Sequence, residues 1–329
     1  MYCKYFKIKQ ERFSTTPDPR FLYRSAMHQE ALERLIAAVT MRRGFNAIIA
    51  EPGLGKSTLI RTMLSGLQET VNFAWVFNTT MEATDLLKFI CRDFGFIPKS
   101  EHKSELLLEL YSFFIQEHEQ GRIPLLIIDE AQNLSVEALE EIRQLSNLET
   151  VNRKLVQIIL SGQPQLNATL QQPDLVQLNQ RISLKATLGR FELQDTIDYI
   201  RFRLAVVGVQ ESELFTDGAY KAIQDISGGI PRLINQICDN GILSASKQKR
   251  KKIDAVMIHD LLEKGAVMRA PAPPVIKPVE PEPEAKPVAR AQKSERPKPV
   301  TKQSLRTRVI NDKSDLFEAI DISELITVI

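Results

Sequence analysis

The chain has 329 residues, of which 43% are hydrophobic and 26% charged, the balance of an ordinary soluble globular protein with room for two compact domains. A formal net charge of +2 is too small to indicate nucleic-acid or membrane binding, and the scattered cysteines and histidines argue against a disulfide framework or a metal centre built from protein ligands. No apolar run is long enough to span a bilayer and no secretory signal is recognisable, so we expect a cytoplasmic protein without a transmembrane segment.

Short apolar runs alternate with longer amphipathic stretches in residues 1–190. The short runs are bounded by polar or turn residues and are predicted to be buried parallel strands: 47–49, 73–77, 123–128 and 156–160. The longer stretches have apolar residues at i, i+3 and i+4 and are predicted to be helices: 57–68, 83–94, 103–119 and 136–148. This alternation predicts a doubly wound α/β sheet.

A different pattern begins at Leu193. From there to residue 264 the apolar runs are all helical: 195–207, 217–227, 231–248 and 254–264. They predict a small all-α domain over residues 191–268, after an α/β domain over residues 1–190. Nine of the seventeen prolines then lie between Pro271 and Pro299, which predicts a disordered Pro-rich linker over 269–313 and a short apolar-acidic tail over 314–329.

A short glycine-containing loop follows the first predicted strand and precedes the helix 57–68. Residues 50–58 match the phosphate-binding pattern G-x-x-x-x-G-K-[ST], except that Ala50 takes the place of the first glycine. The glycines let backbone N–H groups turn towards a phosphate, and the helix N-terminus adds the positive end of its dipole. A turn that only caps a core helix is the alternative. The predicted nucleotide-contacting residues of this loop are Glu51, Pro52, Gly53, Leu54, Gly55, Lys56, Ser57 and Thr58.

Two acids follow the apolar strand 123–128. Asp129 is placed to bind the nucleotide's Mg²⁺ together with the Ser57 hydroxyl, and Glu130 to polarise the water that attacks the γ-phosphate. A solvated strand end or a helix cap would also explain an Asp-Glu pair by itself. Lys56 of the loop can reach the β- and γ-phosphates. The loop and the two acids together therefore predict an enzyme that binds ATP and Mg²⁺ and hydrolyses ATP.

These motifs and several others resemble the general-secretion-pathway ATPases of the ExeA (GspA) type, which belong to the AAA+ P-loop proteins. The resemblance covers residues 1 to about 266 and rests on segments 13–23, 50–58, 129–134, 161–166, 178–182 and 227–235. It implies an AAA+ fold, in which the doubly wound sheet carries the nucleotide site and the all-α domain is its lid.

The resemblance also implies roles that spacing alone does not assign. Gln163 resembles sensor 1, which hydrogen-bonds the γ-phosphate or the attacking water, with Ser161 as a weaker choice. Arg181 resembles an arginine finger presented to the ATP of a neighbouring subunit, and Arg232 resembles sensor 2, which reaches back to the phosphates. The segment Leu22–Tyr23 is expected to touch the adenine. A surface charge is the alternative for each arginine, and a simple turn is the alternative for the glutamine.

Three functions remain open at this point. The first is an oligomeric ATPase that drives assembly or remodelling of a secretion or export complex. The second is a DNA-associated ATPase that regulates transposition or target selection, for which the basic run 247–252 is local support, although a solvated turn also explains it. The third is an ATP-dependent scaffold with little turnover. An arginine finger that acts on a neighbouring subunit implies a head-to-tail ring or filament. The tail 314–329 is either a frayed terminus or a docking peptide for a protein partner.

Overall fold

The computed structural model describes residue 13 and residues 18–77, 79–150, 153–206 and 214–272. All of these belong to one compact unit, Met1–Ala272. The predicted tail over 314–329, and the predicted linker beyond residue 272, lie outside the described residues. The boundary near residue 190 therefore stays a prediction, because contacts do not divide the described part of the chain there.

The described residues form five strands and eleven α-helices. The strands are β1 (Phe45–Ile49), β2 (Val71–Val76), β3 (Ile123–Ile128), β4 (Gln157–Gly162) and β5 (Ile182–Thr187). The first seven helices are α1 (Ala26–Thr40), α2 (Lys56–Gly66), α3 (Ala83–Asp93), α4 (Lys103–Glu119), α5 (Val136–Leu145), α6 (Gln165–Leu170) and α7 (Val176–Arg181). The last four are α8 (Leu193–Val206), α9 (Asp217–Ser227), α10 (Pro231–Lys247) and α11 (Ala255–Glu263).

The strands form one parallel sheet in the order β2-β3-β4-β1-β5. Every residue of β1, β3 and β4 is buried, as expected for strands covered by helices on both faces. In a parallel sheet the carboxyl ends lie at one edge. Because β4 lies between β3 and β1, that edge brings together the loop after β1, the acids after β3 and the residue after β4.

The predicted fold class is confirmed, and the predicted elements lie within a few residues of the observed ones. Strand β5 was not predicted because it is an edge strand whose side chains alternate between buried and exposed. Helices α1, α6 and α7 were also not predicted. The predicted strand 73–77 is wrong at both ends: β2 begins at Val71, and Phe77 lies beyond it with 70% of its surface exposed.

A tight turn between α9 and α10 packs against the segment that joins β5 to α8. Gly228 ends α9 in the left-handed conformation (φ +53°), and Gly229 follows with φ +74°. A Cβ atom on Gly229 would lie 2.0 Å from the Phe191 carbonyl oxygen, so only glycine permits this approach. The Phe191 N–H donates to the Gly229 carbonyl at 2.9 Å. This turn brings the N-terminus of α10 to the loop after β1.

Candidate functional site

The loop between β1 and α2 has the backbone that a phosphate cradle needs. Gly53 (φ +84°) and Gly55 (φ +98°) are both left-handed, and Gly55 is the N-cap of α2. Ala50 has no positive φ; its N–H donates to the Gly162 carbonyl at 3.1 Å, and its own carbonyl accepts from Lys56. Position 50 therefore contributes through its backbone, and glycine is not required there.

Lys56 lies at the first turn of α2 and is 6% exposed. Its Nζ donates to the carbonyl oxygens of Ala50, at 2.8 Å, and Glu51, at 3.5 Å. Burial lowers the pKa of Lys56, and the charges of Glu130 and Asp129 raise it only in part. The ammonium group is thus held over the loop by neutral carbonyl oxygens, which phosphate oxygens can replace with a gain in charge interaction.

Asp129 accepts hydrogen bonds from two serines on neighbouring elements. The Ser57 hydroxyl donates to Asp129 Oδ2 at 3.2 Å, and the Ser161 hydroxyl donates to Oδ1 at 2.7 Å. A carboxylate beside a hydroxyl at the start of α2 offers the hard oxygen atoms that Mg²⁺ prefers, so this pair fits the predicted cofactor. Ser161, the weaker choice for sensor 1, contacts Asp129 and thereby orients this carboxylate.

Glu130 follows Asp129 in a left-handed conformation (φ +50°), which is uncommon for a residue with a side chain. Its Oε2 accepts from the side-chain amides of Gln132, at 2.7 Å, and Gln163, at 2.9 Å. Burial raises the pKa of Glu130, but these two hydrogen bonds and the charge of Lys56 outweigh it and leave the pKa below its usual value. The group is therefore a carboxylate at neutral pH.

A cavity of about 320 Å³ opens beside these residues. Its lining combines the loop and Glu130 with aromatic and polar residues from distant segments: Asp18, Phe21, Leu22, Tyr23, His28, Pro52, Gly53, Leu54, Gly55, Lys56, Ser57, Thr58, Glu130, Phe191, Tyr199, Arg203, Pro231, Arg232 and Asn235. Leu22 and Tyr23 thus lie where a nucleotide base could reach them. The size and the mixed lining suit a small organic ligand with a charged end.

Besides Tyr23, which the resemblance placed near the adenine, the aromatic wall of the cavity is formed by residues that the sequence analysis did not identify. The Tyr23 ring packs edge-on against Phe191 and Tyr199, with ring centres 5.6 and 6.0 Å apart. The Arg203 guanidinium lies 4.4 Å from the centre of the Phe21 ring and donates to the Tyr199 hydroxyl at 2.9 Å. These residues are far apart in sequence, and no local pattern connects them.

His28, another residue that was not identified as functional, joins α1 to the phosphate loop. Its Nε2 lies 2.9 Å from the Leu54 carbonyl, which can only accept, so Nε2 carries the proton and Nδ1 accepts from the Ser25 hydroxyl at 2.8 Å. Burial lowers the pKa of His28, which keeps the ring neutral. The contact fixes the loop backbone beside Gly55.

Arg232 lies at the N-terminus of α10 and lines the cavity opposite the loop. Its backbone N–H donates to the Gly53 carbonyl at 3.2 Å, and its guanidinium makes no hydrogen bond within the described part of the chain. Glu51, by contrast, has its carboxylate in an ion pair with Arg190 at 2.5 Å and does not line the cavity. The contact of Glu51 with the site is made by its backbone carbonyl, which accepts from Lys56.

Arg181 neither lines the cavity nor contacts the other predicted site residues among the described residues. It ends α7, and its Nη1 donates to the Ser146 hydroxyl at 3.3 Å and to the Asn147 side-chain oxygen. Asp129 is joined to the start of α2 through Ser57, and Gln163 contacts Glu130, which lines the cavity.

The chain is similar to known proteins over this region. Residues 39–170 match a family model described as an AAA domain. General secretion pathway protein A of Aeromonas hydrophila is 38% identical over 258 residues, which are 77% of this chain and 46% of that protein. The chain thus spans less than half the length of this relative.

Two solved structures share the fold. Cdc6p from Pyrobaculum aerophilum is similar with a TM-score of 0.60 and 19% identity, over 75% of this chain and 68% of that chain. The Aeropyrum pernix ORC2 protein, in ADPNP-ADP complexes, has a TM-score of 0.59 and 16% identity, over 78% and 72%. None of the helices described above is long and apolar enough to cross a membrane. The chain thus carries an AAA-type P-loop domain and is similar, over 258 residues, to general secretion pathway protein A.

Proposed function

We propose that this protein is an oligomeric ATPase that couples Mg²⁺-dependent ATP hydrolysis to the assembly or remodelling of a secretion or export complex. The observation that carries the ATPase proposal is the convergence of Lys56, Asp129 and Glu130. The ammonium group lies over the loop, and the two carboxylates follow one strand and contact residues of the neighbouring elements. The likeness to a secretion-pathway protein supports the cellular role.

The residues divide the chemistry between them. The loop N–H groups and Lys56 hold the β- and γ-phosphates, while Ser57 and Asp129 hold Mg²⁺, which neutralises charge on the phosphates when bound. Glu130 is an ionised carboxylate able to orient or deprotonate the attacking water. Gln163 and Arg232 are proposed to contact the γ-phosphate from two further sides, as sensors of the bound nucleotide.

Replacing Lys56 by Ala tests the assignment of the loop. ATP affinity should fall by roughly 10- to 100-fold, because charge-assisted hydrogen bonds contribute about 1.5–3 kcal/mol each. The measurement is calorimetric or fluorescent-nucleotide titration. Arg61→Ala is the matched control: it removes a cation from the same helix, where Arg61 stacks on Trp75 at 5.1 Å, away from the cavity lining. Equal affinity in Lys56→Ala and the wild type would show that the loop does not bind phosphate.

A DNA-associated function is the second candidate, and an exposed basic turn between α10 and α11 favours it. Lys247 ends α10, and the turn after it contains Lys249, Arg250, Lys251 and Lys252. If DNA binds there, the affinity for duplex DNA should fall steeply with salt, and Lys249→Glu should reduce the slope of log K against log salt by about 1. If the wild type binds duplex DNA only weakly, and Lys249→Glu has the same slope of log K against log salt as the wild type, the basic run is better explained as a solvated turn.

The remaining partners follow from the same proposal. A head-to-tail ring or filament would bring Arg181 to a neighbouring subunit. A protein partner for the segment 314–329 stays a prediction on residues outside the described part of the chain. The cytoplasm is the proposed location, since the enzyme needs ATP and the described cysteines, Cys91 and Cys238, are unpaired and buried.

A further inference from the structure

Gln132 makes a bridge between two residues of the proposed catalytic site. It lies in a short 3₁₀ turn, Ala131–Asn133, and its Nε2 donates to Glu130 Oε2 at 2.7 Å. Its Oε1 accepts from the backbone N–H of Gln163 at 2.9 Å. The Gln163 side chain completes a triangle, because its own Nε2 donates to the same Glu130 oxygen at 2.9 Å. One amide thus ties the end of β3 to the residue after β4.

We propose that Gln132 is a positioning residue for ATP hydrolysis, which fixes the Glu130 carboxylate and the Gln163 backbone relative to each other; this inference rests on the proposed function. Both amide donors approach Oε2 of Glu130. Oε1 accepts no hydrogen bond from the described residues, so it is the oxygen left for the attacking water. A base that must align one water with the γ-phosphorus needs this kind of support, since small misplacements of reacting groups reduce rates strongly.

Two further features show that the surrounding structure accommodates this bridge. Glu130 has a left-handed backbone, which persists in a residue with a side chain only where its surroundings hold it. Gly162, at the end of β4, leaves room for the amide: a Cβ atom there would lie 3.1 Å from Gln132 Oε1 and 2.7 Å from Leu166 Cδ2. The glycine at this position therefore gives the Gln132 amide room to approach β4 without crowding.

The Gln132→Glu variant separates the two contacts of the bridge. Its side chain has nearly the same shape and can still accept from the Gln163 N–H, but it has no amide N–H to donate to Glu130 Oε2. It therefore keeps the contact with the Gln163 backbone and loses the contact with the carboxylate.

The test is steady-state ATP hydrolysis by the full chain, with ATP affinity measured separately. Gln132→Ala should lower kcat by roughly 10- to 100-fold with ATP affinity within about twofold of the wild type. Gln132→Asn keeps the amide on a side chain one methylene shorter, and its kcat should lie between those of Gln132→Ala and the wild type. Gln132→Glu should lower kcat at least as much as Gln132→Ala, because it removes the donor to Glu130 and places a repelling charge beside it.

Asn133→Asp is the matched control, because it adds the same charge one residue further along, on an exposed side chain. Its kcat should stay at the wild-type value. Wild-type kcat in Gln132→Ala, or a loss of ATP affinity in that variant as large as its loss of kcat, would overturn the positioning role alone. A wild-type chain that binds ATP but never hydrolyses it would overturn the proposed ATPase function, and this inference with it.

Discussion

Replacing Glu130 by Gln should leave ATP binding intact and slow hydrolysis by about 10²- to 10⁴-fold, the range that general base catalysis contributes. The new side chain has nearly the same shape, and its oxygen can still accept from Gln132 and Gln163. It lacks the negative charge that polarises water. Turnover by phosphate release and affinity by nucleotide titration, measured on the same preparation, separate the two effects.

Glu137→Gln is the control for this experiment. Glu137 is exposed in the first turn of α5, only a few residues from Glu130, and does not line the cavity. It should retain wild-type turnover. If Glu130→Gln also retains it, the water is activated by another group. If the wild type is as slow as Glu130→Gln while binding ATP well, the ATP-dependent scaffold becomes the better description of this protein.

The phosphate loop and the two acids could be predicted because each is encoded in a short run of neighbouring residues. The glycine spacing at Gly53 and Gly55 determines two left-handed positions, and both have positive φ in the structure. Asp129 and Glu130 follow an apolar run that could only be a buried strand, so their place at the sheet edge followed from the topology of parallel sheets. Local sequence and strand order were sufficient for this half of the site.

Apart from Tyr23, which the resemblance placed near the adenine, the aromatic half of the cavity could not be predicted, because its residues come from separate segments. Phe21 lies before α1 and Phe191 lies before α8. Asn235, whose side-chain oxygen accepts from the Tyr199 hydroxyl, lies within α10. Nothing in their local sequence marks them as neighbours. Their meeting depends on how the helices after β5 pack, including the close approach of Gly229 to Phe191.

Two other omissions have different causes. Helix α1 does carry a helical pattern in Ala31, Leu35 and Val39, all buried, so a closer inspection of residues 26–40 would have found it. His28 on that helix would still have been read as a core residue. The bridge by Gln132 depends on a side-chain contact across two strands, and sequence spacing carries no information about such a contact.

Replacing Arg181 by Ala should leave ATP binding intact and lower hydrolysis by about 10³- to 10⁵-fold, if Arg181 acts as a finger on the neighbouring subunit's ATP. A guanidinium at that position neutralises charge that develops on the transferred phosphoryl group. Arg181 is absent from the cavity lining of its own subunit, so such a role needs a second chain. Its contacts with Ser146 and Asn147 offer the competing explanation, in which it only joins α7 to the end of α5.

Mixing two inactive variants distinguishes these explanations. In a head-to-tail oligomer, Arg181→Ala contributes an intact Glu130 and Glu130→Gln contributes an intact Arg181, so some interfaces of a mixed assembly are complete. At fixed total protein, activity should pass through a maximum at intermediate ratios. Lys185→Ala is the control, because it removes an exposed cation from β5, close to Arg181 in sequence. It should hydrolyse ATP by itself, before any second variant is added. A flat line at zero, with mixed oligomers verified by light scattering and unchanged melting temperatures, would exclude a finger in trans. Arg181 would then act within its own subunit, through Ser146 and Asn147.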